Sequence, residues 1–532
     1  MGRPAGALSA MMPSMLPRTS PAAAGLEADR FAAGLAALVD AAAATRLELH
    51  SLMVVRRGHV VAQGWWEPYR PDGIALVYSL SKALTTTGVG IAVGEGLLDV
   101  DAPLSEVLGD LMPTRAAAWA RTARVRDLLT MASGHAVDAI EVMARAADAG
   151  RDPLRAFLEL PAEHSPGTLF TYNQGCTLTL AAALARVTGQ RLVDWLRPRL
   201  LEPLGIEHID WTLMGGVPGP TGAGLEMGYS GAHLGTEAIA ALGELWRCEG
   251  RWGGRQLLPA EYVAAASGVR IATAGEIGVG MDGAADWERG YGYQLWASRH
   301  GYRGDGAFGQ FCLVLPQQEA VVVLTAQTTR MQDEIDLVWR HLIPVLADRP
   351  HDASAAADGA TVADGAAVEL TGLRLPPPAG GFTPGAGLLD TAHPVGTPEQ
   401  LRHVHSVRLT RGGGVLLMTW RADGADHSTR VGVGEWVRGE LPHPPSLRPA
   451  VATAAVADAD SVTVSVIYVE SPHSLTLTIT RDGARMRWRT APLRWIGAGN
   501  PGAEHGCAPI TDRMRRPIRV VAASASGPAR LP

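Results

Sequence analysis

The sequence predicts an α+β fold, in which a domain that combines a sheet with helices is followed by a small antiparallel β-domain. Strand-like segments come first, a long run of helical segments follows, and strand-like segments return after residue 290. A sheet assembled from both ends of one segment, with helices packed on it, is an arrangement of the α+β class. Beyond residue 372, short segments of alternating apolar and polar residues recur between Gly- and Asp-containing turns, which is typical of antiparallel strands.

The elements of the first domain follow from the periodicity of apolar residues. Residues 29–45 have helical spacing, and residues 50–65 alternate as two strands around a turn at Arg57–Gly58. A helix is expected to begin near Ser79 and to end at Gly96, because glycine is typical of helix C-termini. Further helices are predicted for VRDLLTMAS, GCTLTLAAALARVTG, TEAIAALGELWRCEG and DEIDLVWRHLIPVLA, and strands for GYGYQLWAS, GQFCLVLPQ and AVVVLTAQT.

Composition divides the chain into five parts. Residues 1–24 are interrupted by prolines and are expected to be a flexible lead-in, whereas residues 25–348 form the first domain. Residues 349–372 are rich in Ala, Asp and Gly without periodicity, which predicts a linker. The β-domain is expected over residues 373–500 as a barrel or sandwich, and residues 501–532 as a loosely ordered tail.

Charge and composition exclude several classes of function. The 532 residues include 53 acidic and 47 basic ones, which give a net charge of −6, so neither nucleic acid nor a membrane surface is an expected partner. No apolar run reaches the roughly 18 residues of a membrane span, and prolines interrupt the N-terminal stretch where a signal peptide needs continuous apolar residues. The four cysteines are scattered without a CxxC pair, which favours reduced thiols and a cytoplasmic location.

Lys82 is the single lysine of the chain, since every other basic residue is arginine. This usage indicates a GC-rich codon bias, under which Arg replaces Lys wherever a positive charge is enough. An amine loses its proton when burial lowers its pKa, whereas a guanidinium stays charged. Lys82 is therefore a candidate for a role that needs a free amine, the alternative being a lysine retained by chance.

Ser79 and Lys82 lie three residues apart at the start of a predicted helix, which puts both side chains on one face within hydrogen-bonding reach. A serine hydroxyl is a weak nucleophile until a neighbouring base takes its proton. The segments on both sides are apolar, so Lys82 is expected to be buried, and burying a lysine without a task is costly. The alternative is a helix N-cap followed by a surface lysine.

Two later segments carry candidate partners for this pair. Tyr172 ends a short apolar stretch before a predicted helix, and a phenol beside an ammonium can act as a phenolate or as a proton relay. The segment Gly304-Asp305-Gly306 precedes the strand FCLVL, and a Gly-rich strand edge can present N–H groups to a ligand as an oxyanion hole. The alternatives are a packed aromatic side chain and an ordinary hairpin turn.

Together these segments resemble the serine β-lactamase and penicillin-binding-protein superfamily, within it the esterase- and amidase-like branch related to class C β-lactamases. The resemblance covers roughly residues 25–347, with the motifs in matching order. It rests on YSLSKALTTTGVGIAVGEGLLDVDAPL, VRDLLTMASGH, PGTLFTYNQGCTLTLAAALARVTGQ, LLEPLGI and GYGYQLW with YRGDGAFGQFCLVLP.

The resemblance implies a β-lactamase/transpeptidase-like domain, in which an antiparallel sheet flanked by helices is joined to an all-helical subdomain. It implies Ser79 as the nucleophile, Lys82 as its base partner and Tyr172 as the tyrosine of the second motif. The third motif falls on the Gly-Asp-Gly segment 304–306. The backbone N–H groups of Ser79 and Ala307 are expected to form the oxyanion hole.

The chain departs from the family pattern in two motifs. The second motif reads Tyr-Asn-Gln where the family has Asn in third place, and either Asn173 or Gln174 could support Lys82 through its amide. The third motif reads Gly-Asp-Gly where β-lactamases carry Lys-Thr-Gly, so Asp305 is expected to repel the carboxylate of a penicillin. Arg303 is expected to face the opposite side of the strand. These departures favour a neutral or cationic ester or amide substrate.

The sequence therefore predicts a serine hydrolase that cleaves a small ester or amide through an acyl-enzyme on Ser79, without cofactor or metal. One alternative is an acyltransferase or peptide cyclase that uses the same acyl-enzyme, and another is an inactive binding protein on this fold. His403 and His405 could place two imidazoles on one face of a strand, but no third metal ligand is evident.

Replacing Ser79 with Ala is expected to abolish labelling by a fluorophosphonate probe, whereas Ser81→Ala should keep most of the labelling. The reason is spacing, because Ser81 lies one residue from Lys82 and points to a different helix face. Intact-mass spectrometry after exposure to the probe measures the adduct on each variant. Adducts at full yield on the Ser79→Ala protein would show that another residue is the nucleophile.

Overall fold

The computed structural model describes residues 15–217, 219, 224–273, 286–346, 366–412, 415–444 and 447–493. The described chain forms an α+β domain followed by a β-barrel whose strands are mostly antiparallel, so the predicted fold class is confirmed. The helices are α1 (Ala28–Ala44), α2 (Ser81–Gly94), α3 (Leu104–Leu108), α4 (Ala118–Thr122), α5 (Val125–Leu129), α6 (Ile140–Asp148), α7 (Pro153–Leu158), α8 (Gln174–Thr188), α9 (Leu192–Leu196), α10 (Glu202–Leu204), α11 (Thr236–Arg247), α12 (Ala260–Ser267) and α13 (Met331–His341).

A large sheet, antiparallel except for its last strand, forms the centre of the first domain. The strands of this domain are β1 (Glu48–Arg56), β2 (His59–Trp65), β3 (Ala75–Leu76), β4 (Asp210–Trp211), β5 (Leu213–Met214), β6 (Leu225–Glu226), β7 (Ala232–Leu234), β8 (Arg251–Trp252), β9 (Arg255–Gln256), β10 (Trp296–Ser298), β11 (Gly301–Gly306), β12 (Gln310–Leu315), β13 (Ala320–Gln327) and β14 (Val368–Leu370). The order within the main sheet is β10-β11-β12-β13-β1-β2-β14. Strands from both ends of the domain therefore meet in one sheet, as predicted.

The helical region centres on α2 and α8, which pack against each other, while α11 packs on β1, β12 and β13. Every residue of α2 from Ser81 to Ala92 is buried. The buried stretch includes polar residues, namely Ser81, Lys82 and the threonines 85–87. Their hydroxyls have partners inside the protein, such as the Tyr78 carbonyl for Ser81 and the Ala83 carbonyl for Thr87, both at 2.6 Å, as buried polar groups require. The helix begins two residues later than predicted, because Tyr78–Leu80 form a 3-10 turn in front of it.

Three predicted segments differ from the structure. The end of the expected lead-in is packed: Leu16 is buried and Arg18 forms an ion pair with Glu237. The expected linker lies mostly outside the described residues, but its end forms β14, which pairs in parallel with β2. Composition cannot reveal such pairing, because the partner strand lies about 300 residues away in the chain. The segment GYGYQLWAS forms a strand only at its end, in β10.

The C-terminal domain is a closed barrel of short alternating strands. Its strands are β15 (Ala392–Gly396), β16 (Val404–Gly412), β17 (Val415–Ala422), β18 (Ala425–Val433), β19 (Val437–Glu440), β20 (Ala450–Ala457), β21 (Ser461–Tyr468), β22 (His473–Thr480) and β23 (Gly483–Trp488). Their order is β18-β17-β16-β15-β23-β22-β21-β20-β19, and an extra pairing of β18 with β20 closes the sheet. The pairs of β15 with β23 and of β18 with β20 are parallel. Val462, Val464 and Val466 of β21 are fully buried at a period of two, as barrel strands require. The expected tail, 501–532, lies outside the described residues.

The barrel packs on the first domain next to the 3-10 turn Tyr78–Leu80. Leu76 and Tyr78 belong to the apolar cluster of the barrel rather than to that of their own domain. The Leu76 N–H donates to the Glu470 carbonyl at 2.9 Å, and the Ser474 hydroxyl donates to the Gln327 side chain at 2.9 Å. The segment that leads into Ser79 therefore lies at the boundary between the two domains.

The structure also bears on the cysteines and on the question of a membrane span. Cys176, Cys248 and Cys312 are free thiols, and Cys507 lies outside the described residues. Over the ranges given above, no helix combines the length and apolar character that crossing a bilayer requires.

Candidate active site

Ser79 and Lys82 are brought together by the junction of a 3-10 turn and a helix. Ser79 lies in the turn Tyr78–Leu80 and is half-buried. Lys82 lies in the first turn of α2 and is only 1% exposed. Its Nζ is 3.0 Å from Ser79 Oγ, so the spacing predicted from the sequence produces a direct contact.

Lys82 Nζ has two further oxygen partners, Gln174 Oε1 at 2.8 Å and the Tyr229 carbonyl at 3.0 Å. Burial lowers the pKa of Lys82 to about 7, although the carboxylates of Asp138 and Asp305 oppose this shift. A neutral amine has two N–H groups and one lone pair. The two N–H groups can serve Gln174 and Tyr229, which leaves the lone pair for the Ser79 hydroxyl.

The orientation of the Gln174 amide is set by Asp138, a residue that the sequence did not single out. Gln174 Nε2 donates to Asp138 Oδ2 at 3.2 Å, and the Gln174 backbone N–H donates to Asp138 Oδ1 at 2.9 Å. A carboxylate only accepts, so the amide oxygen must face Lys82. Burial raises the pKa of Asp138, and the hydrogen bonds from Gln174 oppose that rise.

Asn173 takes a different task from Gln174. Its Oδ1 accepts from the Gly175 N–H at 3.0 Å and from the Ala139 N–H at 3.3 Å, and it is the N-cap of α8. An N-cap side chain satisfies the free N–H groups of the first helical turn. Of the two amides that the sequence left open, Gln174 is therefore the one that contacts Lys82.

Tyr172 lies over the same amine. Its ring centroid is 4.6 Å from Lys82 Nζ, and the ring stacks on Trp296 at 5.4 Å. Burial raises the pKa of Tyr172, with Asp305 adding to the rise and a hydrogen bond with Ser79 opposing it. The phenol therefore keeps its proton at neutral pH, which favours a proton relay over a phenolate.

Gly304 and Gly306 allow β11 to lie directly against the segment that carries Ser79. A Cβ atom at Gly304 would be 2.9 Å from Leu80 Cδ1, and one at Gly306 would be 2.0 Å from the Val77 carbonyl oxygen. Position 306 therefore needs glycine, because the atom in the way belongs to the backbone. At position 304 a side chain would require the buried Leu80 side chain to move. Ala307, which follows the strand, is half-buried.

The expectation that Arg303 faces away from Asp305 is wrong. Arg303 Nε donates to Asp305 Oδ2 at 3.0 Å, and both side chains are buried. Residues two apart on a strand share a face, so the pair follows directly from the geometry of β11. The predicted repulsion of a substrate carboxylate by Asp305 loses its basis, because the guanidinium next to it compensates the charge.

Arg303 has neutral partners as well. Its NH1 donates to the carbonyls of Asp286 at 3.1 Å and Ala297 at 3.0 Å and to Ser298 Oγ at 2.7 Å. The guanidinium carbon also lies 4.3 Å from the centre of the Trp287 ring. The cation normally found in the third motif is thus replaced by an internal ion pair.

Sequence reasoning missed Asp138 and the Tyr229 carbonyl. Asp138 precedes α6, and its Oδ1 accepts from the Ile140 N–H at 3.1 Å, so a capping role was the only signal present in the sequence. The Tyr229 partner is a backbone carbonyl, which every residue has, so the residue type gives no indication of this contact. In the described ranges, no group of three or more His, Cys, Asp or Glu side chains could hold a metal ion, and this includes the surroundings of His403 and His405.

Comparison with known proteins gives one family match. The family model described as Beta-lactamase matches residues 35–343. This range contains Ser79, Lys82, Tyr172 and the segment 304–306, and it ends before the barrel. A comparison with curated proteins finds no match.

Several solved structures are similar to the chain. One is an octameric penicillin-binding protein homologue from Pyrococcus abyssi, at 14% identity and a TM-score of 0.46, covering 85% of this chain and 97% of that one. Another is a penicillin-binding protein homolog from Caulobacter crescentus, at 17% identity and a TM-score of 0.44, covering 60% and 99%. A third is a family VIII carboxylesterase, at 15% identity and a TM-score of 0.47, covering 60% and 99%.

Replacing Asp305 with Ala is expected to lower the free energy of unfolding by about 3–5 kcal/mol, because it leaves the buried Arg303 cation without its carboxylate. Urea denaturation measures the change. The control is Asp426→Ala, which removes an exposed ion pair with Arg421 of the same 3.0 Å separation and should cost less than about 1 kcal/mol. Equal losses in the two variants would mean that the neutral partners of Arg303 suffice.

Proposed function

The chain belongs to the beta-lactamase family, and on this basis we propose that it is a serine hydrolase that cleaves an ester or amide through an acyl-enzyme on Ser79. The observation that carries the proposal is the contact between the buried Lys82 amine and Ser79 Oγ at 3.0 Å. A lysine whose pKa is lowered to about 7 by burial can take the serine proton at neutral pH.

In the proposed acylation step, Lys82 Nζ accepts the Ser79 hydroxyl proton while Ser79 Oγ attacks the substrate carbonyl carbon. The carbonyl oxygen becomes an oxyanion, which accepts hydrogen bonds from the N–H groups of Ser79 and Ala307. Tyr172 gives its phenol proton to the leaving alcohol or amine as that bond breaks, and Lys82 returns its proton to Tyr172. The products are the released leaving group and an ester on Ser79.

Deacylation reverses this proton path. Water takes the place of the leaving group and loses a proton towards Tyr172 and Lys82 as it attacks the acyl carbon. Ser79 recovers its proton when the acid leaves. The proposed roles need no cofactor, because each proton has a donor and an acceptor among Ser79, Lys82 and Tyr172.

The proposed substrate class is a small ester or amide. The compensated charge of Asp305 removes the electrostatic argument against carboxylate-bearing substrates, so the choice among esters, D-peptides and β-lactams depends on shape and on leaving-group chemistry. A matched panel of these three classes at one concentration therefore measures the preference directly.

Incubation of the protein with p-nitrophenyl acetate is expected to release nitrophenol with a burst and to add one acetyl mass to a peptide that contains Ser79. The burst follows if the acyl-enzyme forms faster than water removes it. Ser79→Ala should abolish both signals. If the whole panel gave no turnover and no acyl adduct, the proposal would be contradicted and an inactive binding protein would be supported. Transfer of the acyl group to an added amine would identify the acyltransferase alternative.

Lys82→Arg is expected to lower kcat/KM for a neutral ester by about a hundredfold or more, because a guanidinium cannot act as the base. In the wild type, kcat/KM should rise with pH and level off above the Lys82 pKa of about 7, since the protonated amine below that pKa has no lone pair for Ser79. The pH dependence of initial rates measures this. A profile without an inflection near that pKa, or full activity of Lys82→Arg, would contradict the assigned role.

A further inference from the structure

His473, at the start of β22 in the barrel, reaches the segment that carries Ser79. The Tyr78 hydroxyl lies 2.5 Å from His473 Nε2, and His473 Nδ1 lies 2.8 Å from the Thr490 carbonyl oxygen. A carbonyl only accepts, so Nδ1 carries the ring proton and Nε2 accepts from Tyr78. Both side chains are buried, with Tyr78 2% exposed and His473 fully buried.

The two residues next to the expected oxyanion donors have left-handed backbone conformations. Tyr78, directly before Ser79, has φ of +48°, and Phe308, directly after Ala307, has φ of +68°. This region is unfavourable for residues with a Cβ atom and persists only where surrounding contacts hold it. The Ser79 N–H lies in the peptide unit that joins Tyr78 to Ser79, so its orientation depends directly on the conformation of Tyr78. Phe308 holds the chain on the other side of Ala307, directly after the residue that carries the second donor.

The His473 ring contacts both strained residues. Its centroid lies 5.0 Å from that of Phe308 and 5.7 Å from that of Tyr78, and the Tyr78 and Phe308 rings meet edge-on at 5.3 Å. These edge-to-face distances are those of favourable aromatic pairs. The three rings form one cluster, in which Tyr78 and His473 are buried and Phe308 is half-buried. We call it the aromatic clamp (Tyr78, Phe308, His473).

We infer that His473 is a positioning residue, which holds Tyr78 and Phe308 so that the N–H groups of Ser79 and Ala307 converge on the substrate oxyanion. The inference rests on the proposed function, since it assigns the barrel a part in that same site. Through His473 the barrel completes the catalytic unit of the first domain.

The contact between Tyr78 and His473 does not change its protonation near neutral pH. Burial lowers the pKa of His473 to about 3, with the Thr490 carbonyl opposing the shift and His50 adding to it. The ring is therefore neutral near pH 7, and Nε2 stays available as an acceptor. The Tyr78 phenol stays protonated, because burial raises its pKa.

The test compares four variants with p-nitrophenyl acetate as substrate and a fluorophosphonate as probe. Tyr78→Phe removes one hydroxyl and His473→Ala removes the ring, whereas His473→Gln keeps an acceptor at the position of Nε2. The control is Ser474→Ala, on the residue next to His473, which removes a side-chain hydrogen bond between the same two domains, 2.9 Å to Gln327. Successive side chains of a strand point to opposite faces, so this change leaves the three rings of the aromatic clamp in place. The readouts are kcat, KM, the rate of Ser79 labelling and Tm.

Tyr78→Phe is expected to lower kcat about tenfold and His473→Ala ten- to a hundredfold, the scale of a misplaced reacting group. KM should stay within about twofold, because the lost contact acts on the transition state. Labelling of Ser79 should slow by the same factor as kcat, and His473→Gln should recover part of the loss. Ser474→Ala should keep wild-type kcat.

Wild-type kcat in Tyr78→Phe would overturn the inference, as would losses in His473→Ala no larger than those in Ser474→Ala. If His473→Ala does not fold, Tyr78→Phe decides the matter, because it keeps the ring and removes only the hydroxyl. A failure of the proposed function would give a different result, because the Ser79→Ala variant would then keep both turnover and labelling by the probe. If the wild type is active, Ser79→Ala is inactive and Tyr78→Phe has a lowered kcat, the proposed function and the positioning role of His473 are both supported.

Discussion

The burial of one amine is the constraint on which the rest of the site depends. Lys82 Nζ is enclosed by the junction of a 3-10 turn and α2, and its polar contacts are Ser79 Oγ, Gln174 Oε1 and the Tyr229 carbonyl. An ammonium in such a place loses its hydration, and its pKa falls. The same burial that costs free energy therefore converts an ordinary cation into a base. The residues around it keep the amine fixed: Asp138 orients Gln174, and Tyr172 covers the amine from above.

Local patterns in the sequence were enough for the fold class, the strand pair at residues 50–65 and the Ser79–Lys82 contact. Each of these depends on periodicity or on spacing along one element, which the sequence states directly. The family match confirms the resemblance that rested on the motifs. The choice between Asn173 and Gln174 could not be made, because it depends on which side chain caps α8.

Other contacts of the site were not predicted from the sequence and became visible only in the structure. The ion pair of Arg303 with Asp305 was within reach of the sequence, since residues two apart on a strand share a face, and the contrary expectation misapplied that rule. The contact of Tyr78 with His473 joins residues 395 positions apart. No local pattern marks such a pair, and a barrel histidine without a metal motif gives no signal. Contacts between the two domains therefore cannot be predicted from local patterns in the sequence.

The parallel pairing of β14 with β2 has a consequence for how the chain can be divided. Without residues 368–370, β2 would be the outer strand of the main sheet. Val60 would keep its hydrogen bonds to Pro17 and Thr19, but the N–H and C=O groups along residues 62–64 would lose their partner strand. Such an exposed edge is a template for pairing with another molecule and invites aggregation. A gene fragment that stops at the end of the family match, at residue 343, would remove this protection together with the barrel. The short strand thus makes the first domain a poor candidate for expression as an isolated unit, whatever chemistry its motifs support.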